Sequence, residues 1–398
     1  MIDYSSVLSK KVVDLKKSGI RKFFDLLNDE SMKDVVGLTV GQPDFVTPWH
    51  IREAGIESLQ KGKTYYTGNA GTPELREEIC NYLSRRFSLS YKSMSETMVT
   101  VGGSEAIDVA IRAIVEPGDE VIIPTPSFVC YEPIVRLSGG VPIILPTERK
   151  DEFKLNPERL RALITPKTKM LVLPFPNNPT GAIMTRDELG EIAEILRGTN
   201  IVVLSDEIYA ELTYGGERHV SIAALPDMWE RTILVGGFSK AYAMTGWRMG
   251  FLCAPEPILK QMLKIHQFAI MCAPTTSQMA AIEALRNGDA DIQRMAEEYD
   301  RRRKYIHDGL RNIGIDAFEP KGAFYIFPEI GSFGYSGERF CEKLLYEYRC
   351  AIVPGEAFGE SGAGFARISY AYSVKHITAA LERIDAFITD IKKGTVKA

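Results

Sequence analysis

The sequence predicts an α/β protein: a large domain built on a mostly parallel sheet covered by helices, plus a smaller α+β domain formed by both chain ends. Three observations lead there. At 398 residues, 45% of them hydrophobic and 25% charged, the chain has ordinary globular composition and is too long for one compact core. Short runs rich in Val, Ile and Leu recur, each followed by a turn and a helix-like pattern, as strands buried on both faces of a parallel sheet do. Around Pro274 that alternation stops.

Taken in order, the runs are TMVTVGG from Thr97, EVIIPTP from Glu120, KMLVLPF from Lys169, IVVLSDE from Ile201 and TILVGGF from Thr232. Ligands of such sheets bind at the carboxyl ends of the strands, so the polar residues closing these runs are where function is sought. After Pro274 come long charged helical stretches, with EEYDRRRKYIHDGLRNI at 297–313, and then two strand-like segments, GAFYIFP and FARISYAYS. These suit the smaller domain, to which residues 1–45 and 286–398 are assigned; residues 46–285 form the large one. No internal repeat, low-complexity tract or long linker breaks the chain.

The formal net charge is −4 and the basic residues are dispersed, so no face is offered to nucleic acid or anionic lipid, and neither is expected as a partner. Six cysteines lie far apart with no CxxC pair, and five histidines include no HExxH, so neither disulfides nor a metal site is expected. The start, MIDYSSVLSKKVVDLKKSGIRKFFDLL, has no apolar core of signal-peptide length, and no run of about 18 apolar residues occurs. A cytoplasmic protein is expected.

Lys240 directly follows TILVGGFS and therefore belongs at the mouth of the sheet, although a lone lysine is ordinarily a surface residue. Lysine forms Schiff bases once burial or a neighbouring cation makes a neutral amine available. Arg248, eight residues on, would supply that cation and grip a phosphate. Asp206 ends IVVLSDE, where an inward carboxylate needs a positive partner; a protonated pyridine nitrogen would serve, and so would a helix cap or surface ion pair. Tyr209, three residues later, would reach the same ring or simply pack in the core.

In VGGSEAIDVAIRAI, Gly102, Gly103 and Ser104 stand between a strand and a helix, where free amides and the helix dipole attract phosphate; a plain turn and cap reads the same way. The chain has no GxGxxG and no GxxxxGK[ST]. Asn178 lies in PNNPTG, where prolines fix the backbone and an amide both donates and accepts. Phe128, in TPSFVCYEP, would stack on a ring or pack. Arg367, in FARISYA, alternates with apolar neighbours, and its planar fork suits a substrate carboxylate or an ordinary ion pair.

Together and in this order, these motifs resemble the class I/II aminotransferases of the aspartate aminotransferase superfamily, the fold-type I pyridoxal-phosphate enzymes. The resemblance runs from VGQPDFVTP at 40–48 through YYTGNAGTPELREEI, GGSEAI, PNNPTG, SDEIY and SKAYAMTGWRMG to ARISYA. It implies a seven-stranded sheet and pyridoxal 5′-phosphate as cofactor, with Lys240 as the Schiff-base lysine and Asp206 paired with the pyridine nitrogen. It also implies Tyr209 and Asn178 on the ring oxygen, Phe128 stacked on the ring, and Gly103, Ser104, Ser239 and Arg248 on the phosphate. Tyr66 matches a tyrosine that reaches the neighbouring subunit's phosphate, implying a homodimer with shared active sites. Gly41 and Arg367, with Asn178, match the substrate-carboxylate region. One departure is Gly237, where many members carry Ser three residues before the lysine.

The activity implied is ping-pong transfer of an amino group from an L-amino acid, aspartate, aromatic or related, to a 2-oxo acid such as 2-oxoglutarate. The pattern, SGIRKFFDLL included, is similar to a branch acting on aspartate, aromatic amino acids, alanine or acetylated diaminopimelate. Two alternatives stand beside it: a fold-type I carbon–sulfur β-lyase, which would release pyruvate and ammonia without an added oxo acid, and a non-catalytic cofactor-binding regulator.

Overall fold

The computed structural model describes residues 2–16, 19 and 32–395; of SGIRKFFDLL only Gly19 is among them. Seven strands form the main sheet: β2 (Thr97–Thr100), β3 (Glu120–Thr125), β4 (Val141–Pro146), β5 (Thr168–Leu173), β6 (Val202–Asp206), β7 (Thr232–Gly237) and β8 (Gly250–Cys253). Their order is β2-β8-β7-β6-β5-β3-β4, and only β8 runs against its neighbours. Each β-strand side chain points to the face opposite its neighbour's, and the core follows that period. Val121, Ile123, Met170, Val172, Leu204, Ile233 and Val235 pack on one face with Ile107 and Ile111 of helix Gly103–Ile114. On the other, Ile122, Leu171, Leu173 and Val203 meet Leu189, Ile192 and Leu196 of helix Arg186–Leu196.

The five runs singled out in the sequence are all strands of this sheet, and β4 and β8 complete it. β4 is an edge strand, with Val141 and Ile144 exposed and prolines at positions 142 and 146, so it lacks the continuous apolar signal of a central strand. GFLC of β8 is only four residues long.

The remaining strands are short. β1 (Val36–Gly37) pairs in parallel with β10 (Cys350–Ala351), which ties the described N-terminal segment to the C-terminal part. β11 (Val353–Pro354), β12 (Ala366–Ser369) and β9 (Tyr325–Ile326) form an antiparallel sheet in that order. Helices Asp289–Ile313, Gly337–Tyr348 and Val374–Lys392 pack on this part through Tyr299, Ile306, Leu310, Phe340, Leu344, Ile384 and Phe387. Ser336 and Ser373 cap two of them by accepting from the amides of Arg339 and His376. Tyr209 and Ala243, from the loops after β6 and β7, belong to the same cluster, so the strand ends of the large sheet abut it. That junction is where the site lies.

Candidate active site

Because β8 alone is reversed, the carboxyl ends of β2, β3, β5, β6 and β7 all open on one edge. Each delivers a residue there: Gly102 after β2, Phe128 after β3, Asn178 after β5, Asp206 at the end of β6 and Lys240 just after β7. From the other side, β12 brings Arg367 and the segment after β1 brings Gly41.

Lys240 is partly buried, and its Nζ donates to the Gly41 carbonyl at 2.6 Å. The ammonium lies 5.6 Å from the ring centres of both Tyr209 and Phe324. Burial, reinforced by the Arg367 and Arg248 guanidiniums and opposed by Asp206, brings its pKa down from 10.5 to about 8. A sizeable neutral fraction therefore exists near neutral pH, which an exposed lysine does not have. Gly41 is required by space, since a Cβ there would stand 2.3 Å from the Tyr325 hydroxyl.

Asp206 is buried and accepts from Tyr131 Oη at 2.7 Å and from the Ile208 amide at 3.2 Å. Burial still raises its pKa against those two bonds, and Glu207 adds to the rise. A carboxylate so placed gains from a cation brought into the site. Tyr209 shares a 2.7 Å hydrogen bond with Tyr325, and burial holds its phenol well above the usual range. Phe128 packs edge-on against Tyr131, with ring centres 6.2 Å apart.

Arg367 is 2% exposed, and among the described residues no carboxylate pairs with it. Its Nη1 donates to Asn178 Oδ1 at 3.0 Å and its Nη2 to the Thr39 carbonyl at 2.5 Å, while Nε has no partner. The guanidinium lies 4.6 Å from the centre of the Tyr325 ring and 4.8 Å from that of Phe358. A buried, permanently charged group without a counter-ion is costly, and an anion brought into this pocket would offset that cost.

The opposite end of the site is open. Helix Gly103–Ile114 begins after Gly102, which has φ 79° and provides no side-chain cap, so its first amides are left without intrahelical partners. Arg248 lies across this turn, exposed, donating to the Thr245 carbonyl at 3.1 Å and, at 3.4 Å, to that of Val101. A Cβ on Gly102 would stand 2.5 Å from its Nη2. Ser104 faces solvent and Ser239 is buried immediately before Lys240. At Gly237 a Cβ would meet Ile208 Cδ1 at 2.6 Å, so a serine in this chain would displace that isoleucine. Tyr66 is 78% exposed.

Sequence reasoning missed three contributors. Tyr131 holds Asp206, Tyr325 links Tyr209, Gly41 and Arg367, and Thr39 accepts from Arg367. Tyr131 sits inside TPSFVCYEP and Tyr325 inside GAFYIFP, both quoted segments, yet an aromatic among apolar neighbours reads as core.

At the carboxyl edge of the large sheet a lysine with a lowered pKa and a buried carboxylate thus face an arginine of the small sheet that has no counter-ion among the described residues. Comparison with known proteins gives the family. The family model for aminotransferase class I and II matches residues 33–384. The protein YugH of Bacillus subtilis (strain 168) is 52% identical over 96% of this chain and 99% of its own length. The aspartate aminotransferase of Pyrococcus abyssi is 42% identical over 97% of this chain and 99% of its own. A solved aromatic aminotransferase from Pyrococcus horikoshii superposes with a TM-score of 0.89 at 42% identity, covering 94% of this chain and 99% of that one. The chain belongs to the class I and II aminotransferases. It is a transaminase, an enzyme that moves amino groups between amino acids and oxo acids.

Proposed function

We propose that the site carries pyridoxal 5′-phosphate and transfers the amino group of an L-amino acid, aspartate, aromatic or related, to a 2-oxo acid such as 2-oxoglutarate, in two half-reactions. The observation that carries the reading is Arg367, buried without a counter-ion within the residue network that holds Lys240. The residues fit the group. Gly102, Gly103, Ser104, Ser239 and Arg248 would hold its phosphate, Asp206 its ring nitrogen, Tyr209 and Asn178 its ring oxygen, and Phe128 one ring face. When bound, the cofactor supplies an aldehyde that condenses with amines and a protonated ring that accepts the electron pair left at the substrate α-carbon.

The chain's own residues do the rest. Arg367 and Asn178, with Gly41 alongside, hold the substrate α-carboxylate as a charge-assisted pair, which fixes where the α-hydrogen points. Lys240, able to lose its proton near neutral pH, would take the substrate's α-proton as general base and, once protonated, serve as general acid. Asp206, held by Tyr131, keeps the ring nitrogen protonated by charge, a task for which an amide is no substitute.

The same reading divides the chain into a large domain at 46–285 and a smaller one from residues 1–45 and 286–398. It also makes the molecule a homodimer, in which the exposed Tyr66 reaches the partner's phosphate. The large exposed side chains Val46, Trp49, Tyr65 and Phe268 support a covered surface in that region. A cytoplasmic location agrees with six unpaired cysteines. No described helix is long and apolar enough to cross a membrane. The test is a panel of amino donors with 2-oxoglutarate, scored by spectral change of the bound cofactor. Turnover of acidic and aromatic donors is expected; release of pyruvate and ammonia from a cysteine-type donor without an oxo acid would favour lyase chemistry.

A further inference from the structure

The turn after β2 is held from behind by a pair that the amino-transfer reading leaves unused. His266, in helix Glu256–Ala269, is completely buried. Its Nδ1–H donates to Glu105 Oε1 across 2.5 Å, while Glu105 Oε2 accepts from the Val101 amide across 2.5 Å. Glu105 stands in the first turn of helix Gly103–Ile114, and Val101 immediately precedes the uncapped Gly102. One carboxylate thus straddles the segment whose free amides face the site. The backbone of His266 is fixed at the end of its helix, where the amides of Ile270 and Met271 both donate to its carbonyl, at 2.8 and 3.0 Å. Its Nε2 has no partner, so a buried polar atom is retained unsatisfied beside this contact.

A carboxylate in the first turn suits the helix dipole, yet it also occupies the field that an incoming phosphate would use. On electrostatic grounds alone Glu105 works against phosphate binding. Its geometry does something else: by accepting from the Val101 amide it ties the turn to the first helical turn, whose amides, those of Gly103 and Ser104 included, have no intrahelical partner.

We propose that His266 is a positioning residue for the cofactor's phosphate, acting through Glu105 to lock Val101–Ser104 in the shape that presents those amides. The inference rests on the pyridoxal-phosphate reading above. The test uses the full chain, freed of cofactor and titrated spectroscopically with pyridoxal phosphate and, separately, with pyridoxal, which lacks the phosphate. His266→Asn and Glu105→Gln should each raise the Kd for pyridoxal phosphate about tenfold, the equivalent of one lost hydrogen bond to a charged group. The Kd for pyridoxal should stay within about twofold, since nothing else at the site is touched.

Glu105→Gln preserves shape and carries the test should His266→Asn fail to fold. It also separates two signs. Positioning predicts weaker phosphate binding, whereas simple repulsion predicts tighter binding once the charge is gone. An unchanged or lower Kd for pyridoxal phosphate, or equal weakening of both ligands, would overturn the proposal. Failure of the wild-type chain to take up either ligand would instead defeat the cofactor reading itself.

Discussion

Around Lys240 the polar groups are largely shut away from water and held by one another: Nζ by the Gly41 carbonyl, Tyr209 by Tyr325, Arg367 by Asn178 and Thr39. Around Gly102 the groups face solvent, with Ser104 and Arg248 exposed and the helix uncapped. The buried end keeps three charged groups poised, and desolvation pushes each toward its neutral form. The open end offers amides and a guanidinium that lose little when empty. The lesson is a division of labour. On the proposed function, the buried end would hold electrostatic strain for a reacting molecule to relieve, and the open end would provide attachment without it.

Substitutions break that comparison in graded ways. Short of removing Lys240 itself, the largest effect is expected from Asp206→Asn, which would remove the charge that keeps the ring nitrogen protonated. A fall in kcat of about 10³-fold is expected, by analogy with the loss of one electrostatic donor in a preorganised site, with no loss of thermal stability. Stopped-flow single turnovers alongside calorimetry would measure both, and turnover within threefold of wild type would remove Asp206 from the mechanism.

Next comes Arg367→Ala, expected to lower kcat/KM by about 10²-fold, or about 3 kcal/mol, for every donor and acceptor alike. Arg367→Lys should recover only part, because a point charge cannot reproduce the planar fork. Kinetics on three donors with unlike side chains decide this, and a loss confined to acidic donors would reassign the arginine to side-chain recognition.

At the open end, Arg248→Ala should leave kcat at saturating cofactor within about twofold and raise the cofactor Kd about tenfold, as one charge-assisted contact would. Equilibrium dialysis reads the second and steady-state assays the first. A variant with normal affinity but impaired turnover would erase the distinction between the two ends.

A last effect is on stability and leaves turnover out of account. The ammonium of Lys240 titrates near pH 8 in the folded chain and near 10.5 when unfolded, so the unfolded chain binds more protons between those values. Stability of the cofactor-free protein should therefore rise with pH across that window. Lys240→Met, which removes the buried charge, should unfold at a higher temperature than wild type at pH 7, with the gap closing between pH 8 and 10.5. Parallel melting curves for the two proteins would reveal a gap of the opposite sign or one that ignores pH.

What could be read from the sequence follows the same division. Lys240, Asp206 and Asn178 were visible because polar residues closing apolar runs mark strand ends at the mouth of a parallel sheet. Arg367 was visible as a charge alternating with apolar neighbours. Tyr131 and Tyr325 were not, because their significance lies in partners 75 and 116 residues distant in the chain, a relation that no local pattern records. The Glu105–His266 pair spans 161 residues and was equally hidden. Among the strands, β4 and β8 escaped for a different reason: one is a half-exposed edge, and the other, GFLC, opens on glycine and has none of the β-branched residues that mark the five that were read.

The central claim is that Lys240 is the amine through which this enzyme works. Borohydride treatment of the chain loaded with pyridoxal phosphate turns a lysine–aldehyde linkage into a permanent adduct, which peptide mass mapping then locates. The expected result is a single phosphopyridoxyl adduct on the peptide containing Lys240, absent from Lys240→Ala, together with loss of turnover in that variant of about 10⁴-fold or more. An adduct confined to another lysine, or turnover that survives Lys240→Ala, would contradict it.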